Sequence, residues 1–254
     1  MVLKRRPPAG NSRRVRSTGR NIIGTMTNKA GRIVQFESHA EHMELLRLDR
    51  KRCVRDFATQ PEPVEWIDER GRVRRYTPDI IVWYVDGSVE VIEVTRSERR
   101  NLAVALHLAA SHGRALSSDQ VDKICAGVER ALRREDEARR FYANKGWIYT
   151  VLTEHELPSE TEAANLLTLC RYRPSCYADT RATVVVMRHI ANGDRPSLHD
   201  IVARVSEEMS LAPGVVCGAI YHLIWHGRLH IDMQRLLLRD AEPAPGVVIW
   251  VADR

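Results

Sequence analysis

Three carboxylates stand where oxygen chemistry could be done. Asp79 closes the run Tyr76-Thr77-Pro78-Asp79 at the junction of two strand-like segments, and Glu93 lies near the end of a later apolar strand, in Glu93-Val94-Thr95. Side chains alternate along a strand, so Glu93 and Thr95 share one face while Ile92 and Val94 take the other. If the strands carrying Asp79 and Glu93 are neighbours, the two carboxylates converge on one spot. Hard oxygen donors on a rigid sheet edge suit Mg²⁺, which keeps several waters and accepts substrate phosphate in its octahedron. Glu41, on a helix ahead of the sheet, would add a third carboxylate. The plain alternative makes Asp79 a turn acid and Glu93 a half-buried strand residue neutralised by one of the chain's many arginines.

The elements that must position these acids follow from periodicity. Residues 31–36 alternate as a short strand, and residues 37–52 carry Ala40, Met43, Leu45, Leu46 and Leu48 at helical spacing, with Ser38 as cap and Glu41 completing a capping box. Gln60-Pro61-Glu62-Pro63 breaks the chain. Residues 64–67, 73–76, 80–84 and 89–95 then read as a small, mostly antiparallel sheet, with Asp86-Gly87 as a hairpin turn. Residues 97–116 and 117–144 read as helices, and 147–152 as a buried strand, giving a strand-helix-strand crossover with a parallel partner. The class expected is α/β, a mixed sheet flanked by helices. Beyond a polar hinge at 171–180, three helices (183–191, 198–209 and 213–226) precede short strands at 229–231 and 236–238, the order of a winged helix. The domains expected are a basic flexible arm over 1–30, a catalytic domain over 31–170 and a winged-helix domain over 171–254.

Charge and composition narrow the partners. The chain has 254 residues and a formal net charge of +6, an excess that favours a polyanionic partner. Residues 1–30 hold Lys4, Arg5, Arg6, Arg13, Arg14, Arg16, Arg20 and Lys29 with no acid, a pattern that can follow a phosphate backbone. Arg72, Arg74 and Arg75 form a second basic run beside Asp79. The helix over 130–140 mixes arginines with acids, the pattern of a solvated, salt-bridged face, though some of those arginines could face DNA. Five cysteines without a CxxC pair indicate reduced, buried thiols. His222 and His226 have chelating i, i+4 spacing but sit on a helix of core character, so zinc is not expected. With no apolar run near eighteen residues and a charged N-terminus, a cytoplasmic protein without a membrane partner is expected.

Phe36-Glu37-Ser38-x-x-Glu41, Gln60-Pro61, Tyr76-Thr77-Pro78-Asp79, Glu93-Val94 and Arg139-Arg140-Phe141-Tyr142 leading into Gly146-Trp147-x-Tyr149-x-Val151-Leu152-Thr153 together resemble the N-terminal domain of TnsA-type endonuclease subunits of heteromeric transposases. The resemblance spans residues 31–157. It implies the PD-(D/E)xK restriction-endonuclease fold and a nuclease that cuts, at transposon ends, the strand its partner transposase leaves uncut. It also implies Mg²⁺, replaceable by Mn²⁺, held by Glu41, Asp79 and Glu93 with the Val94 carbonyl as a further ligand, and Glu37 as the structural member of its pair. The implied partners are transposon-end DNA, an integrase-fold transposase (TnsB-like) and an AAA+ ATPase regulator (TnsC-like). The implied setting is a bacterial cytoplasm, on the nucleoid when DNA is bound.

One position departs from the family pattern, which has Lys two residues after the strand acid where this chain has Thr95. A lysine there would orient the attacking water and offset charge on the phosphate, and Thr95 cannot supply the charge. Arg96, Arg99 and Lys123 are candidates to replace it. A catalytically degenerate scaffold that binds transposon DNA and recruits transposase and ATPase is the alternative, and a stand-alone nuclease of defence or repair a more distant one. The last helix, 213–226, carries no Arg, Lys, Asn or Gln, which points the C-terminal domain to a protein partner, through Trp225, Leu236 and Trp250 if they are exposed.

Overall fold

The computed structural model describes residues 22–68, 71–111, 116–190, 195–239 and 242–251, so Arg13, Arg14, Arg16 and Arg70 lie outside the described residues. In chain order the first elements are β1 (Gly24–Thr27), β2 (Ile33–Phe36), α1 (His39–Arg50), β3 (Val54–Thr59), β4 (Val64–Ile67), β5 (Val73–Tyr76), β6 (Ile80–Tyr84) and β7 (Val89–Val94). There follow α2 (Leu102–Ala110), α3 (Ser118–Ala143), β8 (Ile148–Leu152), α4 (Glu160–Leu169), α5 (Thr180–Ile190), α6 (Leu198–Met209) and α7 (Pro213–Trp225). The chain ends in β9 (Leu229–Ile231), β10 (Leu238–Arg239), β11 (Glu242–Pro243) and β12 (Ile249–Val251). They group into two compact units, Met1–His42 with Cys53–Leu157 and Met43–Arg52 with Pro158–Arg254.

The first unit is built on a four-stranded sheet of order β3-β6-β7-β8, in which β6 is antiparallel to both neighbours and β8 runs parallel to β7. The run Ile80-Ile81-Val82-Trp83 is buried throughout, as a central strand covered on both faces requires. A tight turn joins β6 to β7: Asp86 Oδ1 accepts the Ser88 N–H at 2.8 Å, and Gly87 takes the positive φ of 91° that a side chain would resist. The link from β7 to β8 passes through α2 and α3, so the crossover expected from the sequence is present and its strands are parallel. Tyr142 and Ala138 of α3 pack on Ala58, Tyr76, Ile81, Trp83 and Val91, and Trp66, Phe141, Trp147 and Tyr149 close that core at its rim.

Several sequence expectations change here. The strand β3 was hidden from an apolar pattern by Asp56, which is buried because the Asn28 amide donates to it at 2.8 Å and Arg32 pairs with it. Asn28 also donates to the Phe57 carbonyl at 2.9 Å, so the hairpin β1-β2 is tied to β3, and residues 24–30, expected as part of the arm, belong to that hairpin. In that hairpin the Phe36 ring lies where a Gly24 side chain would project, so a larger residue at 24 would have to displace the ring. The strands over 64–95 do not form one sheet: β4 and β5 make a separate hairpin, pairing Val64 with Tyr76 and Ile67 with Val73. The helix expected over 97–116 is a single 3₁₀ turn, Ser97–Arg99, followed by α2, whose Asn101 cap accepts the Ala103 N–H at 3.0 Å.

In the second unit, Met43, Leu45, Leu46 and Leu48 of α1 are buried, as are Leu166 and Leu169 of α4 and the apolar faces of α5, α6 and α7. Asn165 on α4 is fully buried and holds the segment before β10 through three backbone bonds, donating to the Met233 and Arg235 carbonyls at 3.1 and 2.8 Å and accepting from the Leu237 N–H at 2.8 Å. The unit boundary falls at Leu157/Pro158 rather than after residue 170, and the hinge over 171–180 contains two 3₁₀ turns, Cys170–Tyr172 and Ser175–Tyr177. β9 pairs with β12 rather than with the run at 236–238, which contributes only to the short pair β10-β11. Trp225 is a core residue, whereas Leu236 is half exposed. His222 and His226 turn to the carbonyls of Tyr172 and Arg173 at 2.9 and 3.1 Å. All five cysteines are free, and none is fully buried, contrary to expectation. No helix among the described residues is long and apolar enough to cross a membrane.

Candidate active site

Register brings the acids together. Ile80 of β6 faces Ile92 of β7, so the next rung sets Asp79 across from Glu93. Asp79 is held on both sides: its carbonyl accepts the Gln60 N–H at 2.8 Å, and its Oδ2 accepts the Val94 N–H at 2.8 Å. Gln60 itself sits at φ 43°, a left-handed conformation that costs a non-glycine residue about 1–2 kcal/mol. Such strain is characteristic of sites whose surroundings fix the backbone for function.

Glu93 keeps about a fifth of its side chain exposed and has two partners. One carboxylate oxygen accepts the Tyr76 hydroxyl, and the other faces Arg134 Nη2 at 3.6 Å. The Arg134 guanidinium lies 4.9 Å from the centre of the Tyr76 ring, and the Tyr149 hydroxyl is 3.4 Å from that of Tyr76. Burial, reinforced by Glu93, pushes the Tyr76 hydroxyl far above its ordinary range, so it stays a proton donor; burial takes Tyr149 up to about 12.

The electrostatics are those of an acid pair short of positive charge. Burial, then the Glu93 carboxylate and more weakly Glu41, hold the Asp79 carboxyl well above the usual range, against the pull of the Val94 N–H and Arg134. Burial also raises Glu93, offset in part by the Tyr76 hydroxyl and by Arg134 and Arg99. Two carboxylates that resist ionising side by side are what a divalent cation would relieve.

Glu41 completes the capping box that its spacing from Ser38 suggested. Its Oε1 accepts the Ser38 hydroxyl at 3.0 Å and its Oε2 the Glu37 N–H at 2.9 Å, while Ser38 Oγ accepts the Glu41 N–H at 3.1 Å. The carboxylate thus caps α1, and its field reaches Asp79 without its oxygens joining the pair. Among the described residues no three His, Cys, Asp or Glu side chains stand close enough to hold a metal ion. Asp79 and Glu93 alone still fit Mg²⁺, which commonly takes one or two protein carboxylates and completes its shell with water and phosphate. Val94 enters through its N–H to Asp79.

Thr95 follows on β7's path, its N–H donating to the Leu152 carbonyl at 2.9 Å. With Glu41, Ser38, Arg96 and Arg99 it lines an open cleft of about 690 Å³. Of the three cations considered for the missing lysine, Arg96 is exposed and pairs with Glu98 at 3.6 Å, and Arg99 lines this cleft. Lys123 lies on α3 about 16 Å along the helix axis from Arg134. Arg134 is the cation that faces Glu93, and sequence reasoning missed it: its mixed-sign helix reads as solvated, Arg134 does stay largely exposed, and only the docking of α3 on β8 brings it to the acid.

On the other side of Tyr76, Arg72, Arg74 and Arg75 of β5 meet Arg130, Arg133 and Arg134 of α3 around a pocket of about 540 Å³. Arg72 and Arg74 bond to Asp68 at 2.8 and 3.0 Å, and Arg75 is largely exposed, 4.0 Å from Glu65.

Residues 51–154 match the family described as TnsA-like endonuclease N terminal. No curated protein matches the chain.

Proposed function

We propose that this chain, which carries a TnsA-like endonuclease domain over residues 51–154, is the nuclease subunit of a heteromeric transposase and hydrolyses the non-transferred strand at transposon ends. The observation that carries the reading is the Asp79/Glu93 pair, pinned by the Val94 N–H and the Tyr76 hydroxyl, both raised in pKa by burial and Asp79 also by the Glu93 carboxylate. These two carboxylates, with the Val94 carbonyl, would hold Mg²⁺ or Mn²⁺. A divalent cation there supplies Lewis-acid polarisation of the phosphoryl oxygen and a more acidic water. Tyr76 orients Glu93 by donating a hydrogen bond, and Arg134 favours its ionised form against the pull of burial. Glu41 reaches the pair only if it releases the α1 cap. Thr95 occupies the lysine position, and its cationic role passes to the arginines around the cleft.

The basic arm with Arg13, Arg14 and Arg16, together with Arg72, Arg74 and Arg75, would hold transposon-end DNA. The second unit, with three helices and the β9-β12 pair, is proposed as a winged-helix module that meets a TnsB-like transposase and a TnsC-like ATPase. A bacterial cytoplasmic setting goes with this reading.

Thr95 favours one further reading, a scaffold that keeps the nuclease fold without its activity. The discriminating experiment is strand-resolved cleavage of a labelled transposon end with the neighbouring transposase and Mg²⁺ or Mn²⁺. A working nuclease cuts the non-transferred strand, and Asp79→Ala loses on the order of 10²-fold or more in rate. If the wild type leaves that strand intact and Thr95→Lys cuts it, the protein is a scaffold.

A further inference from the structure

The pocket beside Tyr76 joins two features that the sequence keeps 55 residues or more apart. On α3, Arg130, Arg133 and Arg134 fall at i, i+3 and i+4, one face of the helix, and this face forms one wall. The hairpin β4-β5 forms the other, with Arg72 and Arg75 at its lip and Trp66 on its floor. Trp66 is half-buried and supplies the aromatic surface, since Tyr76, edge-on to it at 6.0 Å between ring centres, is itself buried; Glu137 of α3 is the one acid among the described lining residues. The charges are not all spent within the protein. Arg130 Nε bonds only the Ala126 carbonyl of its own helix, and Arg133 has no acidic partner among the described residues.

We infer that this pocket binds a segment of single-stranded DNA, an unpaired strand running past the acid pair. The inference rests on the nuclease reading for its biological substrate. Its physical basis is the combination of guanidinium walls and an aromatic floor in a concave space of about 540 Å³. A duplex offers such a pocket only phosphates, because its bases are paired and stacked inside. An unpaired strand offers a phosphate to the arginines and a base face to the ring together, the recognition mode of single-strand channels. The pocket also shares its wall with the candidate site: Tyr76 and Arg134 line it and both contact Glu93. A strand lying there runs beside Glu93, and its phosphate competes with Glu93 for Arg134. Duplex ends that fray at the cut would thereby feed one strand to the carboxylates.

The test uses the full chain in a chelating buffer, so that cleavage plays no part. Binding of a fluorescein-labelled ten-nucleotide oligo(dT) and of a blunt twenty-base-pair duplex is compared between wild type and Arg130→Ala/Arg133→Ala, two surface changes, across a salt series. The basic arm is common to both proteins and cancels in the comparison. We expect the double variant to lose on the order of tenfold in affinity for the oligo(dT), with its salt slope reduced by about 1.4, two single-strand phosphate contacts at about 0.7 each. Duplex binding should change by less than threefold. Equal losses for both DNAs would make the pocket a duplex-backbone contact, and unchanged oligo(dT) binding would remove DNA from it; either result overturns the inference. Because no metal is present, an inactive nuclease with normal pocket binding would refute only the cleavage reading.

Discussion

Replacing Asp79 with Asn should make the protein more stable at neutral pH while removing its proposed activity. Asp79 and Glu93 face each other across an antiparallel pair, a geometry that sets Cβ atoms about 4.5–5.5 Å apart. Two unit charges at about 5 Å repel by roughly 3 kcal/mol at an effective dielectric of about 20. The Val94 N–H and Arg134 offset part of that repulsion, so we expect a net gain of about 1–2 kcal/mol, within the range typical of relieving a strained functional site. Asn keeps an oxygen for the Val94 N–H, so the loop geometry survives. In a chain of this size the gain corresponds to roughly 2–8 °C in Tm. The sign follows from linkage. A carboxyl whose folded pKa is raised weakens the fold above that pKa, and the penalty disappears as pH falls below its ordinary value of 3.8. The assay is thermal unfolding by circular dichroism in chelator, at pH 8 and again near pH 4. The Asn variant should melt higher at pH 8, with the difference shrinking toward pH 4. A variant that melts lower than wild type at pH 8, or a difference independent of pH, would refute the idea that the acids are held against mutual repulsion.

Other outcomes follow from individual contacts. Arg134→Ala removes the cation that lowers both acids, so the acidic limb of the cleavage pH profile should move to higher pH; an unmoved limb would separate Arg134 from the site. Asn165→Ala deletes three buried backbone bonds and should cost about 3 kcal/mol in urea unfolding, against a typical surface change of under about 0.5 kcal/mol. Ser210 ends α6 at φ 52°, so Ser210→Gly should stabilise by about 1 kcal/mol in the same assay.

Much of the first unit was legible because its signals are local. The apolar runs of β6 and β7, the Asp86-Gly87 turn, the Ser117 cap of α3 and the crossover to β8 each announce themselves within a few residues. Asp79 and Glu93 were legible as candidates through strand alternation, and their pairing only on the condition, met by the β6-β7 register, that their strands are neighbours. What escaped depends on partners distant in sequence. β3 carries Asp56 at a buried position that only Asn28 and Arg32 neutralise. β9 pairs across seventeen intervening residues with β12, bypassing the nearer run, and nothing local encodes that choice. Arg134 looked like one of several solvated arginines until α3 docked on the sheet. Glu41 was legible as a helix cap and as an acid near the site, but not as a residue whose cap bonds occupy both oxygens.

The proposed activity stands or falls with a divalent cation site formed by Asp79 and Glu93. The most direct measurement is a crystal structure of the full chain grown with Mn²⁺ and examined for anomalous scattering. The expected result is a peak bonded to both carboxylates at a distance near 2.1 Å, typical of the small, hard cations, with Arg134 withdrawn from Glu93. A peak elsewhere, or Glu93 still facing Arg134 with no ion between the acids at saturating Mn²⁺, would contradict it.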